Sequence, residues 1–262
     1  MDDQEFARRR QAFGQAVDVY DRTRPTYPDD AVAWCLDDPT EPLTVADLGA
    51  GTGKLTAVLL AAGHRVVAVE PDESMLARLV DHLGDDPALE VHGGSAEDLP
   101  LEDDSLDAVV AGQAWHWFDQ EAVGREVARV LRPGGTVAAV WNSRDESVDW
   151  VERWSAIAEE QAHPTGRKLL TADDGPTFGS AFTDRQTATF QHGHELALPD
   201  DLVALAASRS WTIALDDERR AVLLDAIRRL AEDHPSLAGR TRVAMPYVVE
   251  CHRARRRTAR GA

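Results

Sequence analysis

Cysteine residues and long apolar runs are scarce in this chain. Its 262 residues include two cysteines, Cys35 and Cys251, and neither belongs to a CxxC motif or a Cys/His cluster. Isolated thiols fit a reducing cytoplasm and provide no disulfide framework or zinc site. No apolar run reaches the ~18 residues of a membrane span, and the polar N-terminus lacks the apolar centre of a signal peptide. We therefore expect a cytoplasmic protein without a membrane segment.

Positive charge is also in short supply. Lysine and arginine total 28 against 46 aspartate and glutamate residues, and the net charge is −18. A surface of this sign repels phosphate backbones, so we expect no nucleic-acid partner. The concentrated basic run is residues 253–260 at the C-terminus, which we interpret as a solvated tail. The sequence does not indicate an oligomeric state.

Apolar runs of strand length alternate with helical patterns up to about residue 143. This alternation predicts βαβ units on a parallel sheet. Beyond it, the patterns indicate a helical elaboration inserted late in one sheet, with an antiparallel-type strand at 186–198 and a final strand at 242–253. The predicted strands of the first part are 44–50, 65–70, 88–93, 105–115 and 136–142, and its helices are 53–63, 72–83 and 120–131. The later part has predicted helices 146–162, 200–211 and 216–234 and a predicted loop, 163–185.

Three alternating glycines, Gly49, Gly51 and Gly53, stand between the first strand and the first helix. A dinucleotide fingerprint requires a small residue where Lys54 stands. A P-loop requires serine or threonine after the glycine–lysine pair, and Leu55 is there instead. Both phosphate-binding interpretations therefore fail.

A different ligand fits the acidic residues near this loop. Asp47 ends the first strand, and Glu70 ends the second, where a carboxylate can accept hydrogen bonds from both hydroxyls of a ribose. The polar loop 94–100 follows the third strand and suits an adenine edge. These features describe a nucleoside with a zwitterionic tail in place of a diphosphate, and S-adenosylmethionine is such a molecule.

The motifs VADLGAGTGKLT, VVAVEPDESML, GSAEDLPLEDDSLDAVVAGQAWHWFD and VLRPGGTVAAVWN, in this order, resemble those of class I S-adenosylmethionine-dependent methyltransferases. The resemblance covers roughly residues 13–145 and the final strand. The segment FGQAVDVYDRTRPTYP (13–28) is similar to the opening segment of the branch related to trans-aconitate methyltransferases. The resemblance implies an α/β fold, a Rossmann-like, seven-stranded, mostly parallel sheet with an antiparallel last strand and a helical cap insertion. The predicted division is an N-terminal segment and cofactor core (1–145), a cap (146–240) whose strand 186–198 returns to the sheet, a last core strand (241–253) and a basic tail (254–262).

The resemblance also implies a cofactor site. The glycines and the Ala50 backbone would hold the methionine part, Asp47 would orient the loop or meet the amino group through water, and Glu70 would hold the ribose. Ser95 stands where many relatives have aspartate, which weakens the case for a carboxylate–adenine contact there. The implied cofactor-binding residues are Tyr20, Asp47, Gly49, Ala50, Gly51, Gly53, Glu70, Pro71, Asp72, Met75, Ser95, Ala96, Glu97, Gln113 and Ala114.

An aromatic stretch, Trp115–Phe118, follows the fourth strand. His116 is the candidate catalytic residue, as a general base, and the alternative is a histidine that bonds to the backbone. Trp115 and Trp117 are candidate substrate residues because aromatic faces attract a sulfonium cation. The alternative is that the tryptophans pack the loop, and we favour packing for Trp117 and Phe118.

Three other residues are candidates for contact with the substrate: Arg24, Tyr27 and Arg209. Arg24 could grip an anionic group, although its segment is also consistent with a turn before a helix. Arg209 is also consistent with a solvated helix arginine. His192 and His194 share a strand face, but no third ligand has a recognisable spacing, so we expect no metal.

These features predict an S-adenosylmethionine-dependent methyltransferase that acts on a small organic acceptor by in-line displacement. The alternatives are a nicotinamide-dependent reductase, against which Lys54 argues, and a cofactor-binding module without catalysis. The sulfonium leaving group is already activated, so the protein mainly supplies positioning and desolvation. A base is needed only for a protonated nucleophile, and the sequence therefore does not distinguish O-, N- and C-methylation.

Overall fold

A computed structural model describes residues 22–162 and 175–258 of the chain. Its strands are β1 (Thr44–Leu48), β2 (Arg65–Glu70), β3 (Leu89–Gly93), β4 (Leu106–Gly112), β5 (Leu131–Arg144), β6 (Phe182–Ala197) and β7 (Arg242–Arg256). Its helices are α1 (Asp29–Cys35), α2 (Lys54–Ala61), α3 (Glu73–Leu83), α4 (Gln120–Val130), α5 (Asp149–Ala162), α6 (Asp200–Ala207), α7 (Ser210–Ile213) and α8 (Asp217–Asp233), with a 3₁₀ turn at Trp115–Trp117.

The seven strands form one mixed sheet in the order β3-β2-β1-β4-β5-β7-β6. Strands β1 to β5 pair in parallel. The Leu198 amide donates to the Thr241 carbonyl, and the Arg257 amide donates to the Ala181 carbonyl, so β6 and β7 run in opposite directions. The predicted mostly parallel sheet with an antiparallel last strand is confirmed.

The described residues divide into two compact units. Unit 1 comprises 22–25, 144–162 and 193–247, and unit 2 comprises 26–143, 175–192 and 248–258. In unit 2, alternate residues of β1 enter different apolar clusters, Val45 on one side and Leu48 on the other. Helices α1 and α2 contribute to the first cluster and α4 to the second. Helices therefore cover both faces of the parallel strands, as such sheets require.

Unit 1 has a core of its own, built mainly by α5, α6 and α8. Trp150 and Trp154 of α5 are buried there with Leu205 and Ile227. Both tryptophans therefore pack the helical region.

Local signals located several ends of the elements correctly. Asp72, with which the predicted helix 72–83 begins, is the N-cap of α3 and accepts hydrogen bonds from the amides of Ser74 (2.9 Å) and Met75 (3.1 Å). Gly63, with which the predicted helix 53–63 ends, has φ 88° just past the end of α2. An Asx-type cap satisfies amides that a helix start leaves unpaired, and glycine adopts the left-handed conformation at little cost.

Other boundaries differ from the predictions. The predicted strand 105–115 ends at Gly112, because Gln113 has φ 59° and the 3₁₀ turn follows it. α4 ends at Val130, and β5 begins at Leu131. The Arg-Pro-Gly-Gly stretch, 132–135, therefore belongs to the strand. β6 begins at Phe182, inside the predicted loop. Pairing with a neighbouring strand extends these strands beyond their apolar patterns.

Of the helices within residues 22–162 and 175–258, none combines the length and the apolar character that a membrane span needs.

Gly124 in the middle of α4 provides a test of the packing in unit 2. A Cβ at this position would lie 2.6 Å from the Phe178 carbonyl oxygen. Alanine favours a helix over glycine by about 1 kcal/mol, but this overlap should outweigh that gain. We expect Gly124→Ala to lower the free energy of unfolding by about 1–3 kcal/mol, measured by urea denaturation.

Gly193→Ala in β6 is the matched control for that substitution. Its added Cβ would meet the Ala244 Cβ at an ordinary 3.7 Å, and Gly193 is not in the left-handed region. Stability should be unchanged or raised by about 0.4–1 kcal/mol. A Gly124→Ala protein as stable as wild type would contradict the close approach of α4 to Phe178.

Candidate functional site

Polar segments follow three neighbouring parallel strands of unit 2. Each segment contains the end of a strand and the residues after it: 47–53 for β1, 70–75 for β2 and 112–118 for β4. The sheet order β2-β1-β4 and the parallel pairing bring these segments to one edge. Ligands of open α/β sheets bind outside this carboxyl edge. The predicted cofactor residues near these strand ends therefore lie in one region.

The glycine loop, residues 49–53, packs closely against neighbouring residues of unit 2. Gly49, Gly51 and Gly53 all have positive φ, between 57° and 88°. A Cβ on Gly49 would lie 2.6 Å from the Ala114 Cβ, and one on Gly53 would lie 2.9 Å from Leu83. A Cβ on Gly51 would meet nothing within 4 Å. Gly51 is therefore where the loop backbone is open to a ligand, whereas the other two glycines allow close packing.

The carboxylate of Glu70 is joined to both flanking loops. Its Oε2 accepts from the Gly51 amide (2.8 Å), and its Oε1 accepts from the Asp72 amide (2.9 Å). The residue is only 8% exposed. Each carboxylate oxygen has two lone pairs, so both oxygens retain the capacity to accept from a ligand hydroxyl.

Asp47 is a fully buried carboxylate at the end of β1. Its Oδ2 accepts from the Thr56 hydroxyl of α2 at 2.7 Å. Burial raises the pKa of Asp47 to about 7, although the Thr56 hydrogen bonds act against that rise. Asp47 therefore changes its charge near neutral pH and joins β1 to the helix that follows the glycine loop.

The predicted adenine-side residues are held by local hydrogen bonds. The hydroxyl of Ser95 and the Asp119 amide (3.0 Å) donate to Glu97. Partial burial acts to raise the pKa of Glu97. The hydrogen bonds from Ser95 and Asp119 lower this pKa by a larger amount, so the net shift is downward. Asp72 is engaged as the cap of α3. The remaining predicted residues of this group are the exposed Pro71, the half-buried Met75 and the buried Ala96.

Gln113 and Ala114 connect β4 to its neighbours. The Gln113 amide donates to the Val140 carbonyl (2.8 Å), and its side chain donates to the Asn142 carbonyl (3.1 Å). Ala114 is buried against Gly49. These contacts fix the end of β4 to both β5 and the glycine loop.

His116 is hydrogen bonded to an indole. The Nε1–H of Trp141 donates to His116 Nδ1 at 3.2 Å. Nδ1 therefore accepts, and the neutral ring carries its proton on Nε2. Desolvation lowers the pKa of His116, which favours this neutral form. The one lone pair of the ring is engaged, so a general-base role requires the bond to Trp141 to open.

The two tryptophans beside His116 have different environments. Trp115 is fully buried, edge-on to Phe178 (4.9 Å between centroids) and Phe118 (5.9 Å). Trp117 is 77% exposed, and its ring lies 4.8 Å from that of His116. Trp115 and Phe118 therefore pack against other aromatic rings. The packing that we favoured for Trp117 is not observed, because its side chain is largely exposed.

The other predicted substrate residues are divided between the units. Tyr27 is buried in unit 2, with its hydroxyl close to Gly112. Arg24 and Arg209 are half-buried in unit 1, where an Arg24 Nη2 donates to the Ser208 carbonyl (3.5 Å). Tyr20 lies outside the described residues.

Sequence analysis missed Thr56 and Trp141. Trp141 lies near the end of a predicted strand at the carboxyl edge of the sheet, and this position could have indicated it. Thr56 gave no signal, because its partner Asp47 is recognised only once α2 packs on β1.

Comparisons with known proteins identify the family. A methyltransferase domain model matches residues 46–139. An uncharacterised methyltransferase of Mycobacterium tuberculosis is 43% identical over 243 residues, which are 93% of this chain and 95% of that protein. The crystal structure of a protein from Anabaena variabilis, described as a methyltransferase from an antibiotic biosynthesis pathway, superposes with a TM-score of 0.62 at 21% identity. That match covers 88% of this chain and 98% of the other.

A further structural neighbour is a phosphoethanolamine N-methyltransferase of Haemonchus contortus, solved with phosphomonomethylethanolamine and S-adenosylhomocysteine. Its TM-score is 0.52 at 14% identity, and the match covers 88% of this chain and 52% of the other. The two structural neighbours share the fold, and the mycobacterial relative shows the family. The glycine loop, the carboxylate at the end of β2 and these relatives lead to one conclusion: this chain belongs to the class I, Rossmann-like methyltransferases.

Proposed function

We propose that this methyltransferase uses S-adenosylmethionine and transfers its methyl group to a small organic acceptor. The observation that carries the proposal is the Glu70 carboxylate, fixed by the Gly51 and Asp72 amides beside an open stretch of loop backbone. The presence of S-adenosylhomocysteine in a neighbour of the same fold supports this cofactor.

The chain's own residues account for the binding of each part of this cofactor. Glu70 accepts from the ribose hydroxyls, the open backbone at Gly51 contacts the methionine part, and Asp47 interacts with the ammonium group. Ala96 and Glu97 face the adenine. Bound S-adenosylmethionine supplies an activated methyl group, and the protein positions it and excludes water.

The acceptor side of the proposal concerns His116. With its proton on Nε2, His116 donates a hydrogen bond to an oxygen or nitrogen atom of the molecule that accepts the methyl group. His116 can act as a base only after its hydrogen bond with Trp141 has opened. The high net negative charge supports a small molecule rather than a nucleic acid. The narrower resemblance to the trans-aconitate methyltransferase branch stays a prediction, because most of residues 13–28 lie outside the described part of the chain.

Glu70→Ala tests the ribose contact. Loss of hydrogen bonds to a charged group should weaken S-adenosylmethionine binding by about 1.5–3 kcal/mol, roughly 10- to 150-fold in Kd. Isothermal titration with S-adenosylmethionine and S-adenosylhomocysteine measures the change.

Glu73→Ala is the matched control, because Glu73 is an exposed carboxylate three residues away. It should leave affinity unchanged. Urea denaturation of each ligand-free variant separates loss of binding from loosening of the loop. Unchanged affinity in a stable Glu70→Ala protein would remove Glu70 from the ribose site.

The pKa of Asp47 predicts that a proton is released when the cofactor binds. At pH 6 the carboxyl of the ligand-free protein is mostly protonated, because its pKa is about 7. The ammonium of the ligand favours the ionised form and lowers that pKa, so binding should expel a proton and strengthen as the pH rises through 7. Titration at pH 6 in buffers of different ionisation enthalpy measures the release.

Asp47→Asn keeps the shape of the side chain and removes its titration. The buffer dependence of the binding heat should disappear or decrease in this variant. Equal proton release in wild type and Asp47→Asn would assign the proton to another group and contradict the role of Asp47.

Trp141→Phe tests the protonation state of His116. The indole bond to Nδ1 exists only with the neutral ring, so its loss should raise the pKa of His116 toward 6.5. An NMR titration of the imidazole resonances, assigned by their absence from His116→Ala, provides the measurement. A pKa unchanged by Trp141→Phe would show that the indole does not hold Nδ1.

A further inference from the structure

The carboxyl edge of unit 2 extends beyond the proposed cofactor contacts. Those contacts belong to the ends of β1 and β2 and to the loop after β3, whereas β4 and β5 continue the sheet on the other side of β1. β4 and β5 pair in parallel, with Gly112 beside Val140, so their carboxyl ends are neighbours. A molecule that takes the methyl group must lie beside the cofactor, and these two strand ends are the adjoining part of the same edge.

Asn142, which is the only asparagine in the chain, follows these paired residues on β5. Its Nδ2 donates to the Thr26 carbonyl at 3.0 Å. The opposite orientation of the amide would set two oxygens against each other, so this bond fixes which end of the amide is the oxygen. Oδ1 is buried and has no hydrogen-bond partner within residues 22–162 and 175–258. The side chain therefore carries an unused hydrogen-bond acceptor.

Two other side-chain amides of the described chain have their oxygens paired. The Oε1 of Gln120 accepts from the Thr177 amide at 2.8 Å, and that of Gln186 accepts from the Arg253 guanidinium at 2.8 Å and 3.0 Å. A buried acceptor without a donor costs free energy, and native structures retain one where a ligand or another function requires it. Asn142 as a whole is half-buried, so its amide lies near the surface of the edge, where a ligand can supply the donor.

Gln113 contacts Asn142 from the end of the neighbouring strand. Its Nε2 donates to the Asn142 backbone carbonyl at 3.1 Å, and no residue in the described ranges donates to its Oε1. Gln113 also has φ 59°, a left-handed conformation that costs a residue with a side chain free energy. Such strain is found at functional sites. Gln113 and Asn142 are called the amide pair below: each nitrogen is bound to a backbone carbonyl, and each oxygen is left to accept.

The surroundings of the amide pair place it at the site of unit 2. Ala114, which follows the glutamine of the pair, is buried against Gly49 of the glycine loop. A Cβ on Gly112, which precedes that glutamine, would lie 2.6 Å from the Tyr27 hydroxyl oxygen. The segment that contains Thr26 and Tyr27 therefore contacts the ends of both β4 and β5.

Two amide oxygens without donors have a clear chemical complement. They are neutral acceptors, so they require an N–H or O–H group. A carboxylate provides no donor, and its oxygens would face those of the amide pair. The net charge of −18 also opposes an anion and favours a neutral or cationic molecule. Among nucleophiles, an amine or a hydroxyl therefore fits the amide pair, and a carboxylate does not.

We propose that the amide pair binds the methyl acceptor through an N–H or O–H group, so that the acceptor is an amine or an alcohol rather than a carboxylic acid. The oxygens of the pair accept hydrogen bonds from this group and hold it beside the cofactor. The identification of the ligand as the methyl acceptor rests on the proposed function, whereas the preference for a hydrogen-bond donor rests on the two amides alone.

The test is an NMR titration of the full chain labelled with ¹⁵N-asparagine, saturated with S-adenosylhomocysteine. The chain has a single asparagine, so the side-chain amide signal belongs to Asn142. The probes are methylammonium chloride and methanol, and at least one should shift this signal saturably. Tetramethylammonium, which has no N–H, and acetate should not shift it. Tighter binding of methylammonium assigns an amine, and tighter binding of methanol assigns an alcohol.

Gln113→Leu removes the second oxygen and should raise the Kd of the probe about three- to tenfold, as one hydrogen bond is lost. The matched control is Gln191→Leu, the same change at an exposed glutamine of β6, and it should leave the Kd unchanged. No saturable shift with either donor probe, an equal shift with tetramethylammonium, or an unchanged Kd in Gln113→Leu would each overturn the proposal.

The same titration without S-adenosylhomocysteine distinguishes this proposal from the proposed function. Failure of S-adenosylmethionine and S-adenosylhomocysteine to bind would refute the cofactor. A shift of the Asn142 signal by the donor probes alone, in the ligand-free chain, would still show that the amide pair binds an N–H or O–H group.

Discussion

The carboxylate of Glu70 is the constraint around which the candidate site of unit 2 is built. A nearly buried carboxylate requires hydrogen-bond donors, and the Gly51 and Asp72 amides supply them. One side chain thereby joins the glycine loop to the turn that starts α3. Asp72 in turn caps α3 through the Ser74 and Met75 amides. The geometry of two loops thus follows from satisfying a single charge.

Several backbone positions with positive φ lie at this edge of the sheet, at the glycine loop and at Gln113. The interior of unit 2 is an apolar parallel sheet covered by helices. Asp47 adds a carboxyl whose pKa of about 7 lets its charge respond to a ligand. Rigid strands hold these unfavourable features in place, which is how a fold can present a preorganised site.

Unit 1 is organised around an apolar core rather than around buried carboxylates. The guanidinium of Arg144 lies over the ring of Trp154, 4.6 Å from its centroid. This stacking shows how an aromatic residue of a helical core can fix a guanidinium.

The sequence by itself determined most elements of the fold and the glycine loop, because these depend on neighbours in the chain. Alternating apolar runs, the Asp72 cap and the spacing of Gly49, Gly51 and Gly53 are local signals. Tertiary structure alone decided the bond between His116 and Trp141, 25 residues apart, and the contact of Arg24 with the Ser208 carbonyl. Such contacts depend on which strands pair and which helices pack, and the free energy that selects them is summed over the whole core rather than encoded in any short segment.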